Sequence, residues 1–168
     1  AGGFTWRNAD YSQVYGLELE GRIGITKSLE WRGNVTWMES RSDLTFVLDG
    51  EEVDYSTSMF GQAPYIVNSM ISWSPDSSGF NASASYNVQG PKLVISNSEL
   101  APKAVRAYEM PRHMVDLTLS KSFGKHWGVR ARVRNLLNAP LRRSYKFDQG
   151  YDFDFDKYTY GTEYNLTL

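Results

Sequence analysis

The chain has 168 residues, a formal net charge of −1 and no cysteine. That excludes disulfide staples, thiol catalysis and cysteine-held zinc, and gives no electrostatic reason to bind nucleic acid. Hydrophobic residues make up 41% and charged residues 22%, so the chain is neither disordered nor an apolar helical membrane protein, and it lacks an apolar run of the roughly 18 residues that a spanning helix needs.

Residues 4–7 read as the end of a strand. Residues 14–37, VYGLELEGRIGITKSLEWRGNVTW, alternate apolar and polar side chains on both sides of a short Thr26-Lys27-Ser28 turn, which predicts an antiparallel hairpin. Tyr15, Leu17, Leu19, Ile23 and Ile25 share one face with Leu29, Trp31, Val35 and Trp37. Glu18, Glu20, Arg22, Glu30 and Arg32 fall on the other. An apolar face edged with tryptophan opposite a face of mixed charge is the pattern of a membrane-spanning β-barrel with lipid outside and a wet lumen. Pairing Ile25 with Leu29 places Arg22 opposite Arg32, with Glu20 and Glu30 on the diagonals to offset the repulsion.

Residues 45–57 read as a small hairpin about Asp49-Gly50. Residues 65–73 and 80–88 form a second wall hairpin around a Ser-Pro-Asp-Ser-Ser-Gly turn. Residues 113–123 and 127–135 form a third, turning at Gly124-Lys125-His126. Pairing Phe123 with Trp127 sets Asp116 against Arg134 and Thr118 against Arg132, with Arg130 in the same row. Residues 163–168 begin one more strand. The turns are short, whereas the connections 39–64, 90–112 and 137–162 are long, the asymmetry of an outer-membrane barrel. Trp31, Trp73, Phe80, Phe123 and Trp127 near the short turns form one aromatic girdle, and Trp37 with Tyr15, Tyr65 and Tyr86 forms the other. The fold expected is all-β: an antiparallel transmembrane β-barrel segment of about seven strands with short periplasmic turns and long outer loops.

Within the last connection, Asp152, Asp154 and Asp156 share one face of an extended chain. They imitate a calcium loop with Glu163 at its twelfth position, but Lys157 stands where the sharp turn needs glycine. A solvated acidic loop is the plainer expectation, with Ca²⁺ the candidate cofactor. Arg130, Arg132 and Arg134 line the lumen, either to draw an anionic substrate or to pair with Asp116 and other acids. His113 and His126 have no nucleophile placed beside them by a motif, so the chain is not expected to be an enzyme.

Four segments carry a family resemblance. Residues 14–20, VYGLELE, resemble the G-[VL]-E-[LF]-E strand of TonB-dependent outer-membrane receptors. Residues 63–68, APYIVN, resemble the proline entry into a following strand. Residues 115–121, VDLTLSK, match a VDLSLSK strand, and residues 134–138, RNLLN, resemble the N-L-[LF]-[ND] signature. They come in the family's order and cover nearly the whole chain, in a style similar to receptors of the Bacteroidetes type.

The resemblance implies a barrel of roughly 22 strands around a plug, in the outer membrane of a Gram-negative bacterium. It also implies uptake of a nutrient ligand energised by the TonB complex. Siderophore, cobalamin, glycan and peptide all fit. On this reading residues 1–168 are the carboxyl-terminal part of the barrel, with the plug and earlier strands absent, and Leu168 stands where the family closes on a terminal aromatic. Partners would be outer-membrane lipid, the remaining barrel and plug, the TonB complex and the ligand. The alternatives are a soluble β-sandwich carbohydrate-binding module and a small closed outer-membrane barrel.

Overall fold

A computed structural model describes residues 8–48, 50–75, 77–96, 105–147, 150 and 152–168. The expected strand end at residues 4–7 and Asp49 of the small hairpin lie outside them. Twelve strands and no helix are present among the described residues. Seven make one antiparallel wall: β1 (Tyr11–Gly24), β2 (Leu29–Leu48), β4 (Tyr65–Trp73), β5 (Phe80–Gln89), β8 (Met114–Phe123), β9 (Trp127–Arg134) and β12 (Glu163–Thr167), adjacent in that order. The wall does not close, and β1 and β12 are its two edges.

Tight turns join the strands at one end. After β1, Ile25 N donates to Leu29 O at 2.8 Å, and the Thr26 hydroxyl accepts from Ser28 N and Leu29 N. Between β8 and β9, Gly124 takes the left-handed φ of 62°. The registers place Arg22 opposite Arg32, Phe123 opposite Trp127 and Thr118 opposite Arg132.

At the other end the connections are themselves sheet: the hairpin expected at residues 45–57 is present, while the 90–112 and 137–162 connections carry strands where the residue pattern predicts loop. β2 outruns β4 and takes β3 (Glu51–Thr57) on its extension. β6 (Lys92–Ser96) and β7 (Val105–Glu109), from the β5–β8 connection, join β10 (Leu141–Phe147) and β11 (Asp152–Tyr158), from the β9–β12 connection. Together they make a four-stranded sheet in the order β11-β10-β7-β6. Gly61 N donates to Leu93 O at 2.9 Å and Arg106 Nε to the Tyr55 hydroxyl at 3.1 Å, which ties the β2–β3 region to this sheet.

Burial divides the molecule. The fully buried side chains, Leu93, Ser144 and Ala107 among them, belong to the loop sheet; Tyr55 of β3, Ala63 and, at the loop end of the wall, Val88 of β5 are also buried. The wall leaves Leu19 65% and Trp127 77% exposed.

Candidate functional site

Because neighbours in register share a face, the strand pairing sorts the wall's side chains without ambiguity. Leu17, Trp37 and Tyr65 form one row; Leu19, Val35, Val67 and Val88 the next; Ile23, Trp31, Ile71, Ala84 and Leu117 another. Trp73, Ala82, Leu119, Ala131 and Leu166 continue this apolar face across five strands. Toward the turns, Trp73 and Phe80 meet edge-to-face at 5.5 Å, and Phe123 opposes Trp127. Lys121, a cation on this face, bends its ammonium to the Ser78 carbonyl and over the Phe123 ring, so its stem covers apolar surface while its head reaches the turn.

Trp31 departs from the expected girdle position. Its ring lies along the strand, away from the turn, over the facing glycines Gly21 and Gly33, and its indole N–H donates to Ser69 Oγ at 2.9 Å. A Cβ on Gly33 would stand 2.6 Å from the Trp31 ring, so glycine here makes the groove the ring fills. At the loop end, Trp37 and Tyr65 pair, and the Tyr86 hydroxyl bonds His113 Nδ1 at 2.7 Å.

The opposite face carries the charge. Glu30 bridges Arg22 (2.7 Å) and Arg32, the diagonal acid that relieves the opposed arginines. Glu20 makes no ion pair among the described residues. Asp116 takes Arg132 (3.4 Å) and Arg134 (3.8 Å), and Glu163 takes Arg134 (3.2 Å). Arg130 has no acidic partner among the described residues.

An amide ladder crosses four strands on this same face. Asn87 donates to Asn68 (2.5 Å), Asn68 to Asn34 (2.8 Å) and Asn34 to the Glu18 carboxylate (2.9 Å). All the donors point one way, toward the charge, so each bond polarises the next. With Arg32, Met70 and Ser85 the asparagines line a concavity of about 310 Å³.

Asn135 locks the wall to the loops. It is 3% exposed at a left-handed φ of 53°, a conformation asparagine tolerates better than most residues. Its N–H donates to Asp116 Oδ1 (3.0 Å) and its amide to the Gly161 carbonyl (2.8 Å), while its Oδ1 accepts from Ala139 N (2.9 Å). The Thr162 hydroxyl donates to its carbonyl at 3.0 Å.

In the loop sheet, Lys92, Glu109, Arg143 and Asp156 lie in one cross-strand row of alternating charge, with separations of 2.8, 4.0 and 3.4 Å. The three aspartates do not share a face as an extended chain would have them. A bulge between Arg143 and Ser144 shifts the register at Phe155, leaving Asp152 and Asp154 opposite Lys146 and Ser144 but setting Asp156 opposite Arg143, on the alternate face. Each is neutralised across the hairpin: Asp152 by Lys146 (3.4 Å), Asp154 by Arg142 (3.5 Å) and Asp156 by Arg143. Among the described residues no three His, Asp or Glu side chains are grouped to hold a metal ion. Beyond the Trp37 row, the hydrogen bond from Arg41 (2.8 Å), with a second from Ser56, holds the Asp43 carboxyl below the usual carboxylate range.

The amide ladder, the Asn135 lock and the charge row are absent from the sequence expectations. Asn34, Asn68 and Asn87 alternate visibly with apolar neighbours, but their alignment depends on register across four strands.

Residues 1–136 match the protein family described as TonB dependent receptor-like, beta-barrel. No curated protein and no solved structure matches the chain.

Proposed function

The chain belongs to the TonB-dependent receptor-like β-barrel family, and from that premise we propose that its seven strands are one sector of the wall of an outer-membrane importer. The family is one of outer-membrane transport in Gram-negative bacteria, not of catalysis. Lipid covers the face of Leu19, Ile23, Ile71 and Leu119, and the face of Glu18, Arg32, Asp116 and Arg132 lines the lumen, where plug and ligand meet it.

One observation carries this reading: an unbroken register over seven strands separates apolar from charged rows, and among the described residues no second sheet covers either face. A soluble sandwich would have to bury the apolar face under a partner sheet. The four-stranded sheet pairs its own strands and binds the β2–β3 region instead. Closure then needs further strands on β1 and β12, since an open edge cannot sit in hydrocarbon. Residues 1–168 would be the carboxyl-terminal part of a longer receptor with a plug that contacts the TonB complex, importing a nutrient ligand of the siderophore, cobalamin, glycan or peptide kind. The loop sheet would be the first surface that ligand meets.

The test is fractionation of cells expressing the receptor that carries this segment. Recovery in the outer membrane, with faster gel migration before heating than after, is expected. A monodisperse, detergent-free soluble protein would contradict the proposal.

A further inference from the structure

Where the wall meets its loops, a concavity of about 240 Å³ is lined by Arg112, Met114, Arg134, Asn135, Leu141 and Tyr160, with Gly161 and one acid, Glu163, which Arg134 pairs. Met114 and Arg134 occupy the charged-face register, so the hollow opens on that side of the wall. Its two arginines are in different states. Arg134 is held between Asp116 and Glu163. Arg112 is partly buried and has no carboxylate partner among the described residues. Its Nε donates to the Ala139 carbonyl at 2.9 Å, and its Cζ lies 5.3 Å from the centre of the Tyr160 ring.

A guanidinium keeps its charge at any physiological pH, and withdrawing one from water without a counter-ion is unfavourable. Here one edge is fixed by a carbonyl and one face by a ring, which leaves both terminal amines oriented and, among the described residues, unspent. That planar fork matches the two oxygens of a carboxylate or phosphate. The surrounding field has the same sign. Among the described residues Arg132 and Arg134 share two acids, Asp116 and Glu163, while Arg112 has none, and Arg130 adds a cation two residues from Arg132 along β9.

We propose that this hollow binds a compact oxyanion, the carboxylate or phosphate group of a small molecule arriving from the loop end. Arg112 is its bidentate donor, Arg134 the second cation, and Tyr160 the ring that keeps the fork in place. The inference rests on the charged face being the lumen, because only then does the hollow open onto the path of an imported ligand.

Arginine-selective labelling tests it on the intact receptor in detergent, with phenylglyoxal as reagent and peptide mass spectrometry as readout. Inorganic phosphate is the probe, against chloride at equal ionic strength. Phosphate at ten times its dissociation constant slows Arg112 labelling about tenfold, the factor mass action sets, while Arg130 slows no more than in chloride. In Arg112→Lys, which keeps the charge and loses the fork, phosphate no longer protects Arg134 more than Arg130.

Equal slowing of Arg112 and Arg130 would overturn the site. So would an Arg112 that is inert without phosphate and reacts once the receptor's plug is removed, since the fork would then hold the protein's own carboxylate. Heat-dependent gel migration of the same sample separates the two layers. Absent protection in a heat-modifiable receptor sinks the anion site alone, whereas loss of heat modifiability takes down the membrane reading and the site with it.

Discussion

The wall and the loop sheet are built from the same strand geometry and stabilised in opposite ways. The wall has almost no interior: its rows of Leu, Val, Ile and Trp face outward, and its stability rests on the medium that covers them. The loop sheet has a small interior of its own, with Leu93 and Ser144 each 1% exposed, and a charge row that clamps two connections into one sheet. The difference teaches that hydrophobic alternation reports the solvent on each side of a strand, while burial reports contact with other parts of the chain. In the wall the two signals come apart.

A charge on the outward face breaks the comparison most severely. Leu19→Arg, in the apolar row with Val35 and Val67, is expected to cost about 2–4 kcal/mol in bilayers, with Glu20→Arg on the neighbouring charged face costing far less. Reversible denaturation of the receptor in lipid vesicles measures both, and equal losses would remove the distinction between faces.

At the junction of the two regions, Asn135→Ala removes both side-chain hydrogen bonds and leaves the part-buried Gly161 O and Ala139 N without them, a loss of roughly 1–3 kcal/mol. Asn135→Gly keeps the left-handed backbone accessible and is expected to lose somewhat less. Hydrogen exchange should speed up in residues 136–141 and leave β1 and β2 unchanged; uniform acceleration would show that the lock supports the wall as well.

Inside the wall, Gly33→Ala forces the Trp31 ring off its seat, at about 1–3 kcal/mol. Freed from Ser69, Trp31 should change its emission maximum in vesicles. Pairing it with Trp31→Ala should recover most of the loss, whereas an additive double mutant would place the strain at the Asn68 carbonyl, 3.0 Å from the new Cβ.

The smallest effect belongs to the loop sheet. Glu109→Gln interrupts the charge row between Lys92 and Arg143, both partly exposed, and should cost no more than about 1 kcal/mol. Faster exchange confined to β7 and β10, with unchanged unfolding in lipid, is the expected result. A wall-wide loss would mean that the two regions are not energetically separate.

Legibility in the sequence follows the same division. Residues 14–37 are readable because each face meets one uniform medium, so the period-2 pattern survives without knowledge of partners, and the Arg22–Arg32 register follows from a single short turn. The loop sheet is not readable, because β6 and β7 are five residues each and pair with strands far along the chain. Its buried residues include Ser144 and Ala107, which carry no hydrophobic flag. A bulge at Phe155 is equally silent, so the aspartates seem to share a face when they do not. The N-L-L-N segment is recognisable as a pattern, but its physical reason, an asparagine at positive φ holding Gly161 and Ala139, appears only with the backbone in view.

The central claim is that lipid and water lie on opposite faces of one sheet. The chain has no cysteine, so single cysteines at residues 15 to 20 of β1 supply unique probes within this segment. In reconstituted vesicles, residues 16, 18 and 20 should react with a water-soluble maleimide while 15, 17 and 19 react only with a lipid-phase reagent. Equal aqueous labelling of neighbouring odd and even positions would contradict the account.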